Sequence, residues 1–112
     1  MKSFKTIYTL EKRKSKCNDI LNKRPGIIPV IAEHSNFQDN KTLKFLVESE
    51  LTVGQFIHIL RKKIEIKPEE ALFIQVNNKI PNMVCLLKEL YLTEKDTDGF
   101  LYMYYKKENT FG

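Results

Sequence analysis

Few side chains in this sequence could carry covalent or acid–base chemistry near neutral pH. They are Cys17, Cys85, His34 and His58. The cysteines form no CxxC pair and no Cys/His cluster, so a structural zinc site is not expected. Neither histidine has a nucleophile or a carboxylate partner in a motif. The glycines (Gly26, Gly54, Gly99 and Gly112) fall in no GxSxG, GxGxxG or P-loop pattern. Cys17 reads as an exposed thiol on a helix surface, with no base to activate it. Cys85 lies near an apolar helix face and reads as packing. No catalytic residue, metal or cofactor is expected, and the chain does not read as an enzyme. Two lone thiols in a Lys-rich chain suit a reducing compartment, cytosol or nucleus.

The chain has 112 residues, one domain's worth, with 42% apolar and 29% charged residues. That balance fits a globular protein rather than a disordered one. No apolar run approaches a membrane span, and no apolar stretch follows the basic N-terminus as in a secretory signal. The net charge of +5 is uneven. Residues 1–24 hold eight Lys/Arg against two acids, a net +6, which leaves −1 for the rest. A basic arm therefore precedes a nearly neutral body.

The elements that must position any site follow from periodicity. Residues 5–24 pattern as one bent helix or two, with Leu10, Cys17, Ile20 and Leu21 as a thin apolar stripe. So polar a helix must lie on something else. Pro25-Gly26 stops it. Ile27–Ala32 reads as a strand, and Pro29, lacking an N–H, favours an edge or irregular pairing. Residues 35–42 form a loop, and Leu43–Val47 completes a hairpin. Thr52–Ile64 is the clearest helix. Thr52 and Gln55 have capping-box spacing, and Val53, Phe56, Ile57, Leu60 and Ile64 face a core. Leu72–Val76 is a strand. Asn82 is placed to cap a helix through Met83, Leu86, Leu87 and Leu90. Phe100–Tyr105 is an aromatic strand after the Asp98-Gly99 turn.

Hairpin, helix, strand, helix, strand is the order of a ubiquitin-like β-grasp. The fold class expected is α+β, a four-stranded mixed sheet with two packed helices and an N-terminal helical extension. The divisions are residues 1–24 for the basic extension, 25–105 for the domain and 106–112 for a flexible polar tail. Two residues break the pattern. Ile59 falls on the side of Gln55 and Lys63, away from Phe56 and Leu60. Leu46 shares a strand face with Lys44 and Glu48. Single exposed apolar residues are ordinary, and clustered ones mark contacts.

A family resemblance covers nearly the whole chain. Glu11-Lys12-Arg13, Ile28-Pro29-Val30-Ile31 with Glu33, Leu46-Val47, Leu51-Thr52-Val53-Gly54-Gln55-Phe56 and Leu60-Arg61-Lys62 resemble the autophagy-related ubiquitin-like modifiers. These include the gamma-aminobutyrate-receptor-associated-protein type. Ala71-Leu72-Phe73, Val76-Asn77-Asn78, Ile80-Pro81, Leu90-Tyr91, Asp98-Gly99-Phe100-Leu101-Tyr102 and Glu108-Asn109-Thr110-Phe111-Gly112 extend the likeness.

The resemblance implies that Gly112 is activated, passed as a thioester to a conjugating enzyme and joined to phosphatidylethanolamine. A glycine carboxylate carries no side chain to block such a channel. In many members a cysteine protease removes residues after this glycine. Implied partners are the activating and conjugating enzymes, that protease, motif-bearing cargo receptors and phosphatidylethanolamine membranes. The implied location is cytoplasmic, and autophagosomal or related membrane when lipidated. No nucleic acid is expected.

The resemblance also implies binding of short aromatic-x-x-aliphatic motifs as a strand added beside the second strand. Lys16, Ile20, Pro29, Lys44, Leu46 and Phe100 would surround the aromatic pocket. Phe45, Val47, Leu51, Phe56 and Ile59 would surround the aliphatic one. Phe45, Val47 and Phe56 have an equal claim to ordinary core packing. Lys44, Lys63 and Arg24 would attract acids beside the motif. Phe73 and Gln75 fall on a sheet face used by conjugation enzymes. The sequence departs from the family pattern at Ile27, where Arg is frequent, at Lys16, where an acid is, at Glu48 for Pro, at Gln75 for an aromatic, and in a shorter loop at 35–43.

Two alternatives use the same residues. A ubiquitin-like modifier joined to protein lysines would also need Gly112. A basic RNA-binding domain would use the +5 charge and the Tyr and Phe side chains. The aromatics are not interleaved with the basic arm, however, and most sit in strands as core residues would.

Overall fold

The computed structural model describes residues 3–35 and 42–109. Two helices come first, α1 (Phe4–Ile7) and α2 (Leu10–Lys23). A hairpin follows, β1 (Ile27–His34) and β2 (Thr42–Glu48). Then come α3 (Val53–Lys63), β3 (Glu70–Gln75), α4 (Leu87–Glu94) and β4 (Leu101–Asn109). The sheet order is β2-β1-β4-β3. β1 pairs antiparallel with β2 and parallel with β4, and β3 pairs antiparallel with β4. This is the mixed four-stranded β-grasp expected, with the helical addition at its N-terminus.

The sheet is covered on both faces. On one side Val53, Phe56 and Leu60 of α3 and Leu87 and Leu90 of α4 meet Val30, Val47, Ile74, Leu101 and Met103 in the main core. On the other, Phe4 and Cys17 meet Ile31, Phe100 and Tyr102, with Tyr8, Ile20 and Leu21 around them. Double coverage explains why Ile27–Ala32 reads as an unbroken apolar run: residues 28–34 of β1 are all buried.

β1 is an interior strand, not the edge that Pro29 suggested. The proline is tolerated because pairing with β4 begins only at Val30↔Leu101, so Pro29 has β2 alone beside it.

α3 matches its sequence pattern closely. The Thr52 hydroxyl accepts from Gln55 N–H at 3.1 Å, and the Gln55 side chain accepts from Thr52 N–H at 2.8 Å. Two further N–H groups at its start donate to the chain before α4: Val53 to the Cys85 carbonyl and Gly54 to the Met83 carbonyl, both at 2.9 Å. This is why the last helix does not begin at Asn82 as expected. Residues 83–85 serve α3, and Asn82 Oδ1 accepts from Val84 N–H in a local turn. α4 starts four residues later than Met83, with Glu89 accepting the Leu86 N–H at 3.2 Å.

β4 also runs beyond the expected boundary at residue 105. Lys106 to Asn109 pair with Phe73 to Glu70, so this polar segment is held by backbone ladder bonds rather than by apolar packing.

Cys17 is the clearest correction. It was expected exposed and is fully buried. It belongs to the apolar stripe of its helix, and Ile31, Phe100 and Tyr102 cover it. Arg13 donates to Asp98 Oδ2 at 2.8 Å. The Tyr102 hydroxyl donates to the same oxygen, and Phe100 N–H donates to Oδ1 at 2.8 Å. Asp98 is thus buried but fully engaged.

Candidate functional site

Among the described residues β2 is one edge of the sheet, with no strand beside the outer side of its backbone. Its side chains alternate. Phe45 and Val47 point toward α3, while Lys44, Leu46 and Glu48 are exposed on the face flanked by α2. Leu46 is 45% exposed there, and Ile59 of α3 is 40% exposed on the other side. These are the two residues that broke the sequence periodicity. Both are exposed, Leu46 on the edge strand itself and Ile59 on α3, the helix whose Phe56 packs against Phe45 of that strand.

On the α2 side, Pro29 is the cross-strand partner of Leu46, and Ile31 of Lys44. Ile20 and Lys16 of α2 are half-buried nearby. Phe100 is buried, and the Phe4 ring covers it with centroids 5.4 Å apart. Phe100 therefore forms a floor beneath Phe4 rather than an open wall. Lys44 Nζ stands 5.2 Å from the Phe4 ring and 5.9 Å from that of Tyr8. Lys16 Nζ lies 4.7 Å from the Tyr8 ring. Two ammonium groups thus share one aromatic face system, each held by ring quadrupoles. Phe4 and Tyr8 were not anticipated. Their four-residue spacing was the available signal.

On the α3 side, Phe45 meets Phe56 edge-on, centroids 5.1 Å apart at 90°. Phe56 and Val47 are buried in the core, whereas Phe45 and Leu51 are only half-buried and Ile59 is open. The core reading holds for Phe56 and Val47. Phe45 and Leu51 pack against the edge of that core. Lys63 is exposed in the last turn of α3.

A second surface lies at the opposite sheet edge. Phe73, 49% exposed, and Gln75 stand on β3. With Ile80, Tyr104 and Lys106 they line a cavity of about 270 Å³. Gly112 lies outside the described residues. Among the described residues no group of His, Cys, Asp and Glu could hold a metal ion. No described helix is long and apolar enough to cross a membrane.

Electrostatics set the N-terminal helices in place. Lys5 Nζ bonds Asp96 Oδ1 at 2.7 Å and lies 4.5 Å from the Tyr102 ring. Burial alone would raise the Asp96 carboxyl, but hydrogen bonds from Lys5 and the backbone, with nearby positive charge, hold it below the usual carboxylate range. Burial, helped by the charge of Asp98, pushes the Cys17 thiol up to about 11.

Residues 12–112 match the family described as Autophagy protein Atg8 ubiquitin like. The chain belongs to the Atg8 family. Autophagy-related protein 8B of Oryza sativa subsp. indica is 48% identical over 98% of this chain and 95% of its own. Autophagy-related protein 8 of Mycosarcoma maydis is 45% identical over 98% and 96%. Among solved structures, Trypanosoma brucei ATG8 superposes with TM-score 0.87 at 38% identity, covering 100% of this chain and 99% of that one. Plasmodium falciparum Atg8 in complex with Plasmodium falciparum Atg3 peptide gives 0.84 at 34%, covering 95% and 96%. Atg8 membership accounts for the β-grasp and for the helical addition, which both structural relatives span.

Proposed function

We propose that this Atg8-family chain is a modifier, not an enzyme. It is joined through Gly112 to phosphatidylethanolamine and acts on autophagosomal membranes as a docking platform for aromatic-x-x-aliphatic motifs. The observation that carries the docking half is the open edge of β2, with Leu46 exposed on it and Ile59 exposed on α3. A peptide strand added there gains main-chain hydrogen bonds, and its alternate side chains turn to the α2 side and the α3 side of the edge. Lys16, Lys44 and Lys63 give the approach a positive field that suits acidic flanks. The partners are cargo receptors, the activating and conjugating enzymes and a processing cysteine protease. Phe73 and Gln75 offer the conjugation enzymes a surface on the far sheet edge, away from the peptide groove. Two acyl chains on one lipid supply stable anchoring where a single chain gives marginal binding.

The decisive test is incubation with the family's activating and conjugating enzymes, ATP and phosphatidylethanolamine liposomes. A faster-migrating, phospholipase-sensitive band that disappears with Gly112→Ala is expected. A higher-mass protein adduct alone would replace the lipid reading with conjugation to lysines. For docking, Leu46→Asp and Ile59→Asp should each weaken motif-peptide binding tenfold or more while leaving thermal stability within about 0.5 kcal/mol, as exposed sites do. Unchanged peptide affinity in both variants would refute the docking half.

A further inference from the structure

The exposed row on β2 changes sign along its length. Lys44 opens it, Leu46 occupies the middle and Glu48 closes it, each about 7 Å from the next on the same face. At the first end the charge is reinforced by Lys16, which shares the Tyr8 ring with Lys44. At the other end Glu48 faces Ile27 across the strands, a half-buried residue without charge. Among the described residues Glu48 forms no ion pair. Its carboxylate is available to whatever lies along the edge.

The direction of a docked motif follows from the same strand. The aromatic and the aliphatic residue are three positions apart, and an odd spacing places them on opposite faces. The aromatic goes to the α2 side beside Leu46. The aliphatic goes to the α3 side, where Leu51 lies past the end of β2. The later peptide residue thus sits toward the end of β2, so the peptide runs parallel to it. The residue two after the aromatic returns to the α2 side and falls beside Glu48.

We infer that Glu48, with uncharged Ile27 beside it, is a specificity determinant for the second variable position of the motif. It favours Lys or Arg there and disfavours Asp or Glu, while Lys16 and Lys44 favour acids ahead of the aromatic. This rests on the motif-docking reading above. The groove is bipolar, and a peptide of matching charge gradient is its occupant.

Fluorescence anisotropy with the full chain tests it. The probes are labelled peptides with acidic residues before the aromatic, identical except for Lys or Glu two positions after it. One control has Ala at both anchors, and another has Lys two positions before the aromatic. The Lys peptide should bind about three- to tenfold tighter than the Glu peptide, as an exposed charge pair turned to repulsion allows. The gap should shrink in high salt and reverse with Glu48→Lys. Equal affinities, or a preference that survives Glu48→Lys, overturn the inference and leave motif docking intact. Tighter binding of the peptide with Lys before the aromatic shows the opposite direction and also overturns it. No binding above the Ala control by any peptide removes docking and the inference together.

Discussion

Cys17 and Gly99 are locked together by space. A methyl group on Gly99 would come 2.6 Å from Cys17 Sγ, and the residue has φ +96, a backbone region costly for any side chain. Gly99→Ala should therefore cost about 2–3 kcal/mol, combining overpacking with strain, readable as a lowered urea midpoint at constant slope. The thiol gives a second test. Its native form stays protonated up to about 11, whereas an unfolded thiol ionises near the ordinary value of 9.0. The unfolded chain thus loses its proton first, so stability is full below pH 9 and declines as pH rises toward 11. Cys17→Ala should flatten that decline in urea titrations. In native protein at pH 8, alkylation should mark Cys85 well before Cys17, and equal labelling would contradict the burial. Sequence read Leu46 and Ile59 as exposed, and they are, because an apolar residue on a polar face is conspicuous. It placed Cys17 in the apolar stripe of its helix yet read the thiol as exposed, because the cover comes from Ile31, Phe100 and Tyr102, distant in sequence.

The elements held by local rules were the legible ones. α3 was expected at 52–64 and occupies Val53–Lys63, because its cap, period and stop all lie within its own residues. The start of α4 was misplaced because residues 83–85 are claimed by the N-terminus of α3, a long-range demand. The N-terminal helices show the same dependence. α1 has four residues, too few to persist alone, and is held by contacts with distant parts of the chain. Phe4 supplies a buried ring, its N–H donates to Glu33 at 2.8 Å, and Lys5 bonds Asp96. Phe4→Ala should release α1 locally: its amides should exchange fast while those of β1 and α3 keep their protection. Uniform loss of protection would show that α1 is integral to the core. Asp96 has a lowered carboxyl, so its contribution is present above the ordinary value of 3.8 and is lost as pH falls below it. α1 protection should weaken on acidification, and Lys5→Met should weaken it already at neutral pH. Arg13→Ala leaves the fully buried Asp98 side chain without its cation and should cost about 3 kcal/mol in global stability.

At the scale of the molecule, strand directions set where a docked partner faces. β4 ends at Asn109, and three peptide steps to Gly112 reach at most about 10 Å. With Gly112 joined to lipid as proposed, the end of the sheet where β4 finishes would be held within that reach of the bilayer. β1 runs parallel to β4 and β2 antiparallel to β1, so β2 runs away from that end. On that reading a motif peptide lying parallel to β2 has its N-terminal flank nearer the membrane than its C-terminal flank. Lys44, level with Tyr102 across the sheet, then lies nearer the membrane end than Glu48 does. A fluorophore on the peptide's N-terminal flank should be quenched by headgroup-labelled lipid more strongly than one on its C-terminal flank. On the proposed lipid-anchored reading, the short reach from Asn109 to Gly112 sets which end of a docked peptide points away from the membrane.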